Sequence, residues 1–242
     1  MEEKDPRAPI GWADDKLSEF LEVAQQSTFA TFANLRVFFG HLIAIDRLFR
    51  QASEHFGRPH DWLAGVFLLR AHSAFLGAVR LGTSGQLPEA YTVLRSCLEA
   101  ALYALHIEKE PSRAQIWIGR EESEENRQKS RAEFTARRVF KSLADTDAPM
   151  HEAVSHLYER SIDHGAHPNE QAFLTNMSIT ETEEGFRVEL RTLSGHTTAF
   201  ELCLKSILQV TLACLSVFQL IAPQKFALLG ISDELQRMKR GM

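Results

Sequence analysis

The chain has 242 residues, 44% of them apolar, and a formal net charge of -5 at pH 7, which suffices for one substantial core. An acidic balance supplies no global positive field, so neither DNA nor a membrane surface is expected to capture the protein through phosphate neutralisation. Its three cysteines, Cys97, Cys203 and Cys214, show no C-x-x-C spacing and sit among apolar residues, as expected of buried thiols in a reducing compartment.

Residues 1–12 are polar, contain two prolines and read as a flexible N-terminal arm. The opening Met-Glu-Glu-Lys-Asp-Pro-Arg lacks the basic-then-apolar order of a signal peptide, so the cytoplasm is the expected location. A helical bundle domain is expected over 13–242. Its first amphipathic helix covers about Ala13 to Gln26. From Thr28 to Phe56, Phe32, Leu35, Phe39, Leu42, Ile43, Asp46 and Phe49 recur at spacings of three and four, one face of a long helix.

His60 to Leu81 repeats that pattern and ends at Gly82-Thr83-Ser84-Gly85. Leu87-Pro88-Glu89 opens the next helix, because proline is tolerated in a first helical turn, and Pro111 closes it. Between Arg113 and Arg138 charges of both signs dominate, the pattern of a solvated helix face. A further helix runs from about Pro149 to Gly165. Residues 176–192 alternate apolar and polar side chains about Glu183-Glu184-Gly185, the pattern of a two-stranded hairpin. Since a lone hairpin is marginal in water, it should lie against the helices or a second subunit.

The last long helix spans Thr197 to Ile221, followed by a short one near Ser232–Lys239. Ser206 to Gln224 carries no charge and approaches spanning length, yet its scattered polar residues fit a helix buried in protein. Short connections between successive helices predict antiparallel neighbours. The expected class is therefore all-α, a single-domain antiparallel bundle with one small β-hairpin insertion. Self-association is expected, with a homodimer as the default, because the hairpin edge and the apolar last helix need covering.

Two constellations are candidates for chemistry or binding. At 100° per residue Arg95, Glu99 and His106 lie within about 40° of one another on one helix surface. Covered by a neighbouring helix, Arg95 and Glu99 would form a shielded ion pair; left open, they are an ordinary surface pair. The second runs from Glu159 to Asn169. Arg160 and His164 are i,i+4 neighbours beside an apolar face, so His164 should point into a crevice, with His167 just beyond Gly165. Two imidazoles beside a guanidinium suit acid–base chemistry on a phosphodiester; alternatively they cap the helix end. Asn169 is a further candidate ligand contact. No zinc spacing, Glu-x-x-His pair, phosphate-binding glycine loop or nucleophile elbow occurs, so no metal or cofactor is expected.

Arg95-Ser96-x-x-Glu99, followed by Asp163-x-Gly165-Ala166-His167-Pro168-Asn169, resembles a family of mostly bacterial helical proteins to which no activity is attached. In that family the Arg-Ser-x-x-Glu helix and the Gly-Ala-His-Pro turn recur together, which implies that they meet in space. The chain is also similar, more loosely, to the HEPN superfamily of helical bundles, many of them metal-independent ribonucleases. Their motif is Arg, four to six residues, then His. Arg160 and His167 match it, and Glu99 stands for the acidic residue on an earlier helix. The same spacing occurs at Arg36/His41, Arg50/His55 and Arg191/His196.

Two readings stay open. One is a non-catalytic binding or interaction module in which Arg95, Glu99 and His164 form a buried polar network fixing helix register, with His164, His106 and Asn169 as candidate contacts to an RNA or small-molecule ligand. The other, implied by the HEPN resemblance, is a metal-independent ribonuclease of a toxin–antitoxin or phage-defence system. In it Arg160 and His167 are the catalytic pair, oriented by Glu99 and Arg95.

Overall fold

Two antiparallel helices set the frame, and the turn joining them shows why the sequence folds this way locally. The computed structural model describes residues 8–57, 61–166, 177–182 and 185–241. Helix α3 (Trp62–Ser84) ends on Gly85 at φ +93°, a left-handed conformation that glycine adopts without a side-chain clash. Helix α4 (Leu87–Lys109) starts two residues later with Pro88 in its first turn. The backbone of Ser194 packs directly on Gly85, its N–H donating to the Gly85 carbonyl at 2.8 Å.

Ahead of this pair the expected long helix over 28–56 is divided. Helix α1 (Lys16–Asn34) and α2 (Arg36–Ser53) meet at Leu35 with a bend of 101°. The corner is closed by an edge-on Phe32–Phe39 contact at 4.9 Å and by the Arg36 guanidinium 3.9 Å from the Phe32 ring centroid. Past that corner α2 buries Leu42, Ile45, Leu48 and Phe49 in the core, whereas α1 buries only Ser18, Ala24 and Thr31. Tertiary contacts thus override a continuous apolar period. The end of the expected N-terminal arm is tied down where it is described: the Trp12 indole donates to Glu22 at 2.7 Å.

The charged stretch after α4 also divides. Helix α5 (Arg113–Ile118) is followed by a 3-10 turn (Gly119–Glu121), α6 (Glu124–Glu133) and α7 (Ala136–Ala144). Ser123 and Thr135 cap the last two, each accepting a backbone N–H in the first turn. Helix α8 (Ala148–Ser161), capped by Asp147, continues as a π turn over Ile162–Ala166. Strands β1 (Met177–Thr182) and β2 (Gly185–Leu190) pair antiparallel with Ile179 opposite Val188. This hairpin does not lie against the helices: Ile179, Phe186, Val188 and Leu190 share one face and are exposed.

Helix α9 (Thr198–Ile221) is the central element, buried nearly all round from Ser206 to Phe218. Its polar residues are satisfied without water, since Thr211 and Ser216 donate to their own helix at Ile207 and Leu212. Two short helices, α10 (Pro223–Leu228) and α11 (Ile231–Arg240), finish the chain. By length and composition α3 and α9 are both apolar enough to cross a membrane; inside the fold 72% of the apolar α9 window is buried but only 56% of that of α3. The all-α bundle with a small hairpin is therefore the observed architecture.

Candidate functional site

The end of α8 is pinned to the start of α4, and this contact organises the candidate residues. A Cβ built on Gly165 would run into the Pro88 carbonyl and lie 2.9 Å from the Tyr91 Cβ, so the two backbones approach as only glycine permits. The Thr92 hydroxyl spans the junction, 2.9 Å from the Gly165 carbonyl and 3.0 Å from that of Pro88. His164 stacks on the Tyr91 ring at 5.0 Å, as expected for a side chain directed into a crevice. Burial pushes the His164 pKa down, with Asp163 opposing and Arg160 reinforcing the shift. Burial also raises the Tyr91 phenol to about 12, and its hydroxyl lies 3.3 Å from the Ser206 hydroxyl of α9.

One turn back, Arg160 donates from Nη1 to the Gln209 side-chain oxygen of α9 at 2.8 Å. Both line a cavity of about 600 Å³ between α8, α9 and α11. Met150, Leu157 and Leu212 give it apolar walls, and Lys239 of α11 lies opposite Arg160's helix. Burial lowers the Lys239 ammonium pKa, a shift that Asp147 at the rim partly offsets. Gln209 and Lys239 carried no motif in the sequence. Gln209 is one of few polar residues in the α9 apolar run, which is the signal that could have marked it.

Arg95 and Glu99, on α4, meet another flank of α8. They pair at 3.0 Å, with side chains 29% and 36% exposed, so the pair is only partly shielded. Tyr158 covers it, donating its hydroxyl to Glu99 at 3.0 Å while the Arg95 guanidinium sits 5.8 Å from its ring centroid. Burial and the adjacent Glu99 carboxylate push the Tyr158 phenol up to about 12. Among the described residues this cluster shares no hydrogen bond or ion pair with Arg160. The Gly-Ala turn packs on the helix that carries Arg-Ser-x-x-Glu, meeting α4 at Pro88–Thr92, about two to three turns before Glu99. His167 and Asn169 lie outside the described residues.

His106 belongs to a different network. It is 1% exposed and lies between the Ser142 hydroxyl, 2.7 Å from Nδ1, and the Glu133 carboxylate, 3.2 Å from Nε2. Arg113 binds the same carboxylate at 2.8 Å and the His106 carbonyl at 2.8 Å, and Arg138 takes the second Glu133 oxygen. A carboxylate only accepts, so Nε2 carries the imidazole proton and Nδ1 accepts from Ser142. This is a Ser–His–Glu chain whose serine is 8% exposed, packed into the fold rather than presented to solvent. An Arg/Glu/His network is therefore present at His106, with Arg113 and Glu133 rather than Arg95 and Glu99 as its other members.

That network fixes a pH response. Desolvation dominates the lowering of His106; desolvation also works to raise Glu133, but the Arg113 hydrogen bond and the Arg138 and Arg113 charges hold its carboxyl below the usual range. For both groups the unfolded chain binds more protons than the folded one in the window between the two pKa values. The His106 and His164 contributions are complete above about pH 6.5 and fade as the pH falls below it, with the Glu133 contribution following at lower pH. Urea unfolding at stepped pH should therefore show stability falling from neutrality toward acid, with part of the early loss absent in His106→Gln. A flat profile from pH 7 to 5 would contradict it.

Among the described residues no group of three or more His, Cys, Asp or Glu side chains is placed to hold a metal ion. No protein-family model, curated protein or solved structure matches the chain.

Proposed function

We propose that this protein is a non-catalytic binding module whose cavity between α8, α9 and α11 takes a small amphipathic anion. The observation that carries the reading is the composition of that cavity. Its volume of about 600 Å³ falls within the range of small-molecule sites. Apolar side chains from α8 and α9 supply most of its walls, while Arg160 and Lys239 bring two cations against the single carboxylate of Asp147. A ligand with an apolar body and a carboxylate, sulfonate or phosphate head answers both features. The Gln209 bond holds the Arg160 guanidinium in place, so less side-chain freedom is lost when an anion arrives.

The probe is anilinonaphthalene sulfonate, an aromatic anion whose fluorescence rises on transfer from water to an apolar site. Saturable binding at one site is expected, weakened about tenfold or more in Arg160→Ala, since a charge-assisted hydrogen bond contributes roughly 1.5–3 kcal/mol. Affinity unchanged in that variant would reject the site. Arg127→Ala, which alters an exposed ion pair far in sequence from the cavity, serves as the control. The ribonuclease reading rests on Arg160 and His167 and would replace this one if the protein cleaved labelled RNA in EDTA and His167→Ala did not.

A further inference from the structure

One face of α3 is built like an interior surface yet lies open. Trp62, Val66, Leu69, Ser73, Leu76 and Arg80 follow one another at intervals of four, three, four, three and four residues. The four apolar members are 47%, 42%, 56% and 44% exposed, in chain order, and Ser73 and Arg80 are exposed as well. The opposite side of the same helix, with Leu68, Ala71, Phe75 and Ala78, is fully within the core. Alternating four- and three-residue intervals make the a/d seam along which two helices pack, narrower than the stripe a helix needs merely to sit on a core. Nothing in the described fold covers it.

We propose that this ridge is the interface of a homodimer in which α3 packs antiparallel against α3 of a second copy, with the twofold axis at the level of Ala71. The order of intervals reads the same in both directions, so an antiparallel copy meets the ridge position for position. That is the self-complementarity an isologous interface requires. Residue sizes match across the axis. Leu69 faces Ser73 of the second copy, large against small, and Val66 faces Leu76. Trp62 faces Arg80, which is exposed and has no ion pair among the described residues; a guanidinium over an indole is a favourable pairing. Arg70, exposed beside the ridge near the axis, is long enough to keep its head in water.

The ridge is about 27 Å long at 1.5 Å per residue, a small contact that predicts a reversible dimer rather than a permanent one. This inference uses none of the cavity residues and is independent of the binding reading. It also explains why α3 is apolar enough to cross a membrane while nearly half of that window stays unburied.

Sedimentation over a dilution series should show a mass of twice the 27.4 kDa monomer, falling to the monomer on dilution. Leu69→Glu should stay monomeric throughout with an unchanged circular dichroism spectrum, since Leu69 faces outward. Orientation is read by cross-linking. Val66→Cys and Leu76→Cys should each fail to form a disulfide-linked dimer alone but link when mixed, and the native thiols of Cys97, Cys203 and Cys214 are buried and silent. A monomeric wild type, a Leu69→Glu dimer as tight as wild type, or linkage of either single variant alone would each overturn the proposal. So would a protein monodisperse only as a monomer in detergent micelles, which would assign the ridge to lipid.

Discussion

Glu133→Ala should destabilise the protein by about 3 kcal/mol or more, because it leaves a buried imidazole and a guanidinium without their common carboxylate. The side chain of Glu133 is 17% exposed, and it accepts from His106, Arg113 and Arg138 at once. Removing one partner of a buried charge pair costs more than the pair itself contributes, since the remaining charge keeps its desolvation penalty. For a chain of this length each kcal/mol moves the melting temperature by roughly 2–4 °C. Differential scanning calorimetry should therefore show a fall of roughly 6–12 °C at neutral pH. Glu133→Gln, which can still accept from Nε2, should fall between wild type and alanine. The contrasting variant is Glu99→Ala. Its carboxylate is 36% exposed, pairs with one partly exposed arginine and accepts from the Tyr158 hydroxyl, so it should cost about 1–2 kcal/mol. Equal losses in the two variants would show that the His106 network does not carry the weight assigned to it.

Gly165→Ala should be comparably damaging for a steric reason. The added methyl would overlap the Pro88 carbonyl and press on the Tyr91 Cβ, both of them in the first turns of α4 where the backbone cannot yield. Overpacking of this kind costs roughly 1–3 kcal/mol when side chains can shift and more when backbone must. Relief by lifting the π turn from α4 would lose the Thr92 bond to the Gly165 carbonyl and the stacking of His164 on Tyr91. The local signature is the Tyr91 phenol, held at about 12 mainly by burial; once uncovered it should titrate nearer its ordinary value of about 10. Ultraviolet absorbance titration of wild type and variant reads that change directly. Gly40→Ala supplies the control, because a Cβ there meets nothing within 4 Å inside a helix. Exchanging that glycine should stabilise by roughly 0.5–1 kcal/mol. A Gly165→Ala protein as stable as wild type, with an unmoved tyrosine titration, would show that the α4–α8 junction is loose.

The junction also shows where reading the chain succeeds. Gly85, Pro88 and Pro111 mark helix ends through conformations that involve residues only a few positions away, and the observed elements end close to them. The hairpin was legible because alternation has a period of two whatever surrounds it. The corner at Leu35 was not legible. Nothing local forbids a helix from 28 to 56, and the bend arises where Thr31 reaches the Thr83 carbonyl, 52 residues away. Ser123 and Thr135 were readable as caps in principle, but the dense charge around them obscured the divisions.

The candidate residues divide along the same line. The Arg95–Glu99 pair is a consequence of helical spacing and forms as the sequence implies. His106 shares their stripe by angle but sits seven residues beyond Glu99, about 10 Å along the axis, where α6 and α7 rather than α8 face it. Arg160 was a candidate through its spacing to His164 and His167; that it turns toward Gln209, 49 residues on, and toward a cavity rather than toward Glu99 follows from how α8 rests on α9. By itself, then, the sequence determined the helical class, the helix ends marked by glycine and proline, the hairpin and the pairs one turn apart, because those energies act between near neighbours in the chain. Only the tertiary structure decided which polar side chains share a site and which apolar face stays open, because burial depends on helices brought together across gaps of dozens of residues.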